Sequence, residues 1–299
     1  MQRRYVTVDV FTDRRFGGNP LAVVLDAEGL SSAEMQAIAS EFNYSETTFV
    51  LVPRAQGNAA CLRIFTSRVE VPFAGHPNVG TAVVLAQDRE ASGEPPVAQF
   101  VFEEAAGLVP VRLTRTAGRV TGAEFTAPER LSSGPAVPLD AVADCIGLAP
   151  GDILTTAHPP RVLSVGLPFL VVELTGRDAL RRAKPKLSAH ETVLPPLGTD
   201  AIYCYVRDPQ AQQLQARMFS PLDACVEDPA TGSATAATIS LLATISPEHE
   251  GERTWRIEQG VDMGRPSLLL GRTEKRDGTV VAAHVGGQVV EVMCGTLQV

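Results

Sequence analysis

The chain is poor in cysteine, aromatic side chains and basic charge, and each shortage narrows its possible roles. Its five cysteines (Cys61, Cys145, Cys204, Cys225, Cys294) are scattered and odd in number, with no C-x-x-C pair. That excludes a disulfide framework and a cysteine zinc knuckle, and it fits small buried thiols in a reduced, cytoplasmic setting. Five dispersed histidines give no metal-ligand spacing. Aromatics make up 5% with one Trp, and 26 basic residues face 34 acidic ones for a formal charge of -8. With no Lys/Arg cluster, neither nucleic acid nor an anionic membrane surface is expected as a partner. No apolar run approaches the roughly 20 residues that span a bilayer. The start, Met1–Asp9, lacks a signal-peptide apolar stretch. Neither a P-loop nor a G-x-G-x-x-G occurs, so no nucleotide, flavin or metal cofactor is expected.

What is present is a device that occurs twice. Phe73-Ala74-Gly75-His76-Pro77-Asn78-Val79-Gly80 and Glu227-Asp228-Pro229-Ala230-Thr231-Gly232-Ser233-Ala234 each set a Gly-polar pair ahead of an apolar helical pattern. Val79, Ala82, Val83 and Ala86 follow the first at helical spacing; Ala234, Ala237, Thr238, Leu241, Leu242 and Ile245 follow the second. Glycine lets backbone approach a ligand closely. A helix start leaves four N–H groups without intrahelical partners at the positive end of the dipole. Two such starts facing each other would form a cleft for a small carboxylate.

The 299 residues favour two domains, each large enough for a core. Val6–Thr12 alternates like a strand, Phe16–Pro20 is a turn and Leu21–Leu25 a second strand. Ser31-x-x-Glu34 is a capping box that opens a helix with Met35, Ile38, Ala39 and Phe42 on one face. Gln87–Ala98 reads as a loop and Ala127–Leu139, rich in Pro, Ser and Gly, as the linker. Asp140–Cys145 and Arg177–Ala183 read as short helices. Strands are expected at Phe49–Val52, Cys61–Ser67, Gln99–Phe102, Val109–Thr114, within Val162–Leu174, at Ala201–Arg207 and Gln215–Phe219, and in four runs between Arg253 and Val292. Each half thus runs strands, Gly-polar turn, buried helix, strands, which implies two similar α+β domains.

Several polar residues could carry chemistry. Glu46 lies between a helix and a strand, among Ser45, Thr47 and Thr48; local context alone favours a solvated junction residue. His76 reads as a cap or satisfied core group, or as an imidazole at a helix mouth, where the positive helix end lowers its proton affinity. Pro77 suits a first helical position. Asp228 is either a charge favoured by the dipole or a site group, Ser233 either a packing residue or a site group, and Thr231 a possible cap. A Ser233/His76/Asp228 hydrolase triad is disfavoured, because Gly232-Ser233-Ala234 is not the G-x-S-x-G elbow. Phe11, Tyr44, Phe65 and Phe219 read equally as core or as substrate contacts.

These motifs resemble those of the PhzF-like proteins, relatives of a phenazine-biosynthesis isomerase. The resemblance spans nearly the whole chain. It rests on Val8–Thr12, Phe16-Gly17-Gly18-Asn19-Pro20-Leu21-Ala22-Val23, Ser45-Glu46-Thr47-Thr48-Phe49-Val50, Glu70–Pro77, Glu227–Ala234 and Gln259-Gly260-Val261-Asp262-Met263-Gly264-Arg265-Pro266-Ser267. It implies a diaminopimelate-epimerase-like α+β fold of two pseudo-symmetric domains, each a curled β-sheet or barrel around a central helix. The last strand would return to the first domain, giving 1–126 plus 286–299 and 127–285. The resemblance also implies a homodimer and an active site between the domains. It places the acid/base carboxylate on Glu46 and the other catalytic polar groups on His76, Asp228 and Ser233. Substrate binding falls to Asn19, Gly75, His76, Thr231, Gly232 and Ser233.

Epimerase and proline-racemase relatives place a cysteine directly before each first Gly of the device. Here Ala74 stands at the first such position and Pro229 nearest the second, while Cys225 lies further upstream. Inversion by two opposed thiols therefore looks absent. One carboxylate remains, suited to moving a proton between two carbons on the same face of a small unsaturated or cyclic carboxylate. The alternatives are an amino-acid epimerase or racemase, and a non-catalytic metabolite-binding or scaffold protein on the same fold.

Overall fold

The structure, a computed structural model, describes residues 2–208, 212–223 and 225–299. The chain forms two compact units, Met1–Pro128 with Val285–Val299, and Glu129–His284. Both follow the same α+β plan, a curled sheet around a buried helix.

In the first unit eight strands close into a ring. Asn19–Val24 pairs with Gln2–Val10, and Gln2–Val10 with the C-terminal strand, in the register Gln2↔Gln298 to Val10↔Val289. That strand pairs with Arg119–Thr126, followed by Gly107–Thr116 and Gln99–Glu104 in antiparallel hairpins. Gln99–Glu104 runs parallel to Ala60–Phe65, which pairs with Glu46–Leu51. Glu46–Leu51 runs parallel to Asn19–Val24 and completes the ring. A closed ring leaves no strand edge to aggregate.

The helix Gly75–Ala91 fills the ring, and every residue from Gly75 to Ala86 is buried. That is why its sequence is small and apolar on all sides instead of striped. Gly80 sits where the helix touches the wall: a Cβ there would lie 2.5 Å from Leu21 Cδ2 and 2.9 Å from Val10 Cγ2. Outside the ring, helix Ser32–Phe42 starts with the capping box read from the sequence. Ser31 Oγ accepts from the Glu34 N–H, and the Ser31 N–H donates back to Glu34 Oε2. Its apolar face, Met35 and Ala39 with Ile38 and Phe42, packs on Phe49 and Phe65.

In the second unit the order is Ser132–Ala136, Arg161–Ser164, Pro168–Glu173, Ile202–Asp208, Gln213–Ser220, Gly251–Gln259 and Ser267–Arg276, with Cys225–Asp228 on the end of Gln213–Ser220. The helix Gly232–Thr244 is buried from Gly232 to Ala243. Its last carbonyls meet a cation: Lys275 Nζ donates to Ala243, Thr244 and Ser246 oxygens at 2.9, 3.4 and 3.0 Å. Helices Leu139–Ile146 and Leu187–Val193 cover a second core that includes Val142, Ile146, Leu170, Val172, Leu194 and Phe219.

Several local expectations change. The stretch from Gln87 is helical to Ala91, where Arg89 donates to the Ala59 carbonyl and Glu90 pairs with Arg115. The expected linker contains strand Ser132–Ala136, which gains its partner from Arg161–Ser164. Helix Leu187–Val193 was not anticipated. Pro77 is third, not first, in its helix, a position where a missing N–H costs nothing. Phe11, Phe65 and Phe219 are core residues, each at most 2% exposed.

Candidate active site

Three elements of the first unit converge on His76. The helix begins at Gly75 with Ala74 as its N-cap, so His76 lies in the first turn, 3% exposed. Asn19 opens its strand directly after Gly18, whose φ of 61° and crowding (a Cβ would meet the Val10 oxygen at 2.3 Å) admit only glycine. Asn19 Nδ2 donates to His76 Nδ1 at 3.2 Å. Nδ1 is therefore the acceptor and Nε2 carries the proton. That N–H faces Glu46 Oε2 at 3.3 Å. Glu46, the first residue of its strand, is fixed by the parallel pairing Leu21↔Glu46.

Burial lowers the His76 pKa to about 3. The imidazole is thus neutral at ordinary pH, not a cation. The direction agrees with the sequence expectation, though its cause is loss of solvent. Asn78 reinforces the same turn: Nδ2 donates to the Ala74 oxygen at 2.9 Å. Asn19 thus occupies Nδ1, and Nε2 is turned towards Glu46.

The second unit builds its device differently. Asp228 ends strand Cys225–Asp228, is 6% exposed, and accepts from Thr231 Oγ1 at 2.5 Å. Thr231 is the N-cap by position but its hydroxyl does not cap; it turns to Asp228 instead. Gln259, fully buried, does the organising. Its Oε1 accepts from the Thr231 N–H at 3.1 Å, and its Nε2 donates to the Asp228 carbonyl and to Thr231 Oγ1, both at 2.9 Å. Gly232 and Ser233 follow as the first helical residues, Ser233 3% exposed, with N–H groups that have no intrahelical acceptor.

Sequence reasoning missed Gln259 as a site residue. Its signal was a polar side chain at the end of the alternating strand Gly251–Gln259, on the buried face. It also missed Arg217, which grips Glu227 with Nε and Nη2 at 2.8 Å each and donates to the Leu180 and Ala183 carbonyls. Arg217 thereby anchors the strand that presents Asp228.

The N-caps of the two central helices are Ala74, 5% exposed, and Thr231, with Pro229 upstream of the second, and none of the three carries a thiol. Cys225 begins the preceding strand. Among the described residues, no cluster of three His, Cys, Asp or Glu could hold a metal ion. No described helix is long and apolar enough to cross a membrane.

Curled sheets around central helices, with polar groups at the helix starts, define an epimerase-like α+β protein. A solved phenazine biosynthesis protein of the PhzF family from Bacillus anthracis matches this fold at a TM-score of 0.85, with 24% identity and complete coverage of both chains. Residues 8–295 match the family described as phenazine biosynthesis-like protein, and the chain belongs to that family. It is 36% identical to an uncharacterized isomerase of Mesorhizobium japonicum over 304 residues, covering 99% of this chain and 98% of the relative. It is 34% identical to a trans-2,3-dihydro-3-hydroxyanthranilate isomerase of Pseudomonas chlororaphis, covering 98% of each chain. Its enzyme class is accordingly isomerase.

Proposed function

We propose that the protein moves a proton between two carbons of a small unsaturated or cyclic carboxylate without a cofactor, with Glu46 as the general acid/base. The observation that carries this reading is the contact of Glu46 with a neutral imidazole N–H, at a helix start that lacks a thiol. A single carboxylate can take a proton from one carbon and return it to another on the same face. The His76 N–H orients Glu46 and helps hold its anionic form once the proton has passed to substrate. A substrate carboxylate would be held by the N–H groups at the Gly75–His76 helix start, the turn that Asn19 braces through His76. Donors of this kind also stabilise charge that develops in a conjugated intermediate. Substrates of the dihydro-hydroxyanthranilate type, named for the Pseudomonas relative, are the first compounds to test.

The test is double-bond migration by NMR on a panel of such carboxylates. Glu46→Gln should lower turnover by about 100- to 10,000-fold, the usual contribution of a positioned acid/base, with the fold intact. Full activity in Glu46→Gln on a verified substrate would overturn the assignment. Formation of the opposite enantiomer from a pure amino acid would favour an epimerase instead.

A further inference from the structure

A second carboxyl in the first unit is left unused by this reaction. Glu104 ends the strand Gln99–Glu104, and both of its carboxyl oxygens are sealed from solvent without a hydrogen-bond partner. It faces Asn78, which interacts with it from the central helix. Asn78 Nδ2 donates one of its two protons to the Ala74 carbonyl, and its buried Oδ1 has no donor. An ionised Glu104 could accept the second Nδ2 proton but would leave Asn78 Oδ1 without a donor, whereas a protonated one brings an O–H that Oδ1 can accept.

We propose that Glu104 is a positioning residue that works as a neutral carboxylic acid, donating its proton to Asn78 Oδ1 and so locking the helix turn that carries His76. Ala74 and Asn78 flank His76 in sequence, so the Asn78 to Ala74 bond spans the turn from which the imidazole reaches Glu46. The effect on catalysis rests on the acid/base reading above; the lock itself does not.

The surroundings agree. Burial is the largest influence on Glu104 and raises its pKa to about 8; Asn78 acts the other way, and neither cause is a charged neighbour. The adjacent strand Ala60–Phe65 contributes Cys61, whose thiol is itself pushed up by burial, with Arg54 and Arg63 lowering it and Glu103 and Glu104 raising it. Across its own hairpin Glu104 pairs with Gly107, which has no side chain. Its neighbour Glu103 is turned away, accepting from the Arg54 and Ala55 N–H groups and from Asn58.

The experiment is an NMR titration of the substrate-free full-length protein carrying 13C-labelled Glu carboxyls and 15N-labelled His rings. Glu104 is assigned by the signal lost in Glu104→Gln, and His76 by the signal lost in His76→Gln. The expected result is a Glu104 midpoint near 8, with the His76 ring signals shifting over the same range in wild type and flat in Glu104→Gln. A Glu104 midpoint in the ordinary carboxylate range would overturn the neutral acid. A high midpoint with His76 unmoved would overturn the coupling. Should Glu104→Gln fail to fold, Glu104→Asp assigns the signal by its loss, and the wild-type titration still decides. Because no substrate is present, failure here is separate from failure of the isomerase reading.

Discussion

At the scale of single residues, the candidate site contains an imidazole kept neutral. The folded protein holds the His76 pKa at about 3, against 6.5 for an ordinary histidine. Above pH 6.5 neither the folded nor the unfolded chain protonates it, and stability is full. As pH falls from 6.5 towards 3, the unfolded chain takes up a proton that the folded chain refuses, so stability declines across that window. The decline attributable to His76 should reach a few kcal/mol, roughly 1.4 kcal/mol for each pH unit of the gap. Denaturant melts of wild type and His76→Gln between pH 7 and 4 check this: the stability difference should shift steadily in favour of the variant as pH falls. A constant difference would mean that the fold does not resist protonation of His76. The sequence put Glu46, His76 and Asn19 forward as candidates, two from their local setting and Asn19 only through the family resemblance. It could not show that Asn19 sets the tautomer of His76, because that depends on two elements 57 residues apart.

At the scale of elements, the two helix starts are held by different means, and each can be broken separately. In the second unit Gln259 satisfies the Thr231 N–H, the Thr231 hydroxyl and the Asp228 carbonyl. Gln259→Ala leaves these buried groups without those bonds and should cost about 2–4 kcal/mol by denaturant unfolding, with reduced kcat/KM. An unchanged midpoint would mean that water or a neighbour replaces the amide. In the first unit Gly80→Val should destabilise by more than about 1–3 kcal/mol, since even a Cβ would press on Leu21 and Val10. A thermal melt decides, and an unshifted melting temperature would contradict the close approach. Elements with local signals were legible in the sequence: the Ser31/Glu34 box opens its helix, and Gly147, in the left-handed region, ends Leu139–Ile146. The misread elements depend on distant partners. Ser132–Ala136 contains Gly and Pro and is a strand because Arg161–Ser164 lies beside it. In the sequence Gln259 stands out only as the first residue of a motif that carries the family resemblance, and its bonds to Asp228 and Thr231 reach across 31 and 28 residues.

At the scale of the whole molecule, the first unit is completed by the last residues of the chain. Val285–Val299 belongs to it, and strand Thr279–Gln298 pairs with both Gln2–Val10 and Arg119–Thr126. Removing residues 285–299 would open the ring and expose two strand edges around a buried helix. The truncated chain should aggregate or lose cooperative unfolding, as seen by light scattering and circular dichroism; a soluble chain with unchanged melting would show that the ring closes without it. The duplicated helix-start device was visible in the sequence as a pattern; the barrel and the return of the last strand were reached only through the family resemblance, because the ring joins the first and last strands. The central claim, that Glu46 carries a proton from one carbon to another, is tested most directly by label transfer. A dihydro-hydroxyanthranilate-type substrate carrying deuterium at the carbon that loses its proton would be followed by deuterium NMR with wild type and Glu46→Gln. Deuterium arriving at the new carbon with wild type, and no transfer with Glu46→Gln, is the predicted result. Equal transfer by both proteins would contradict the account.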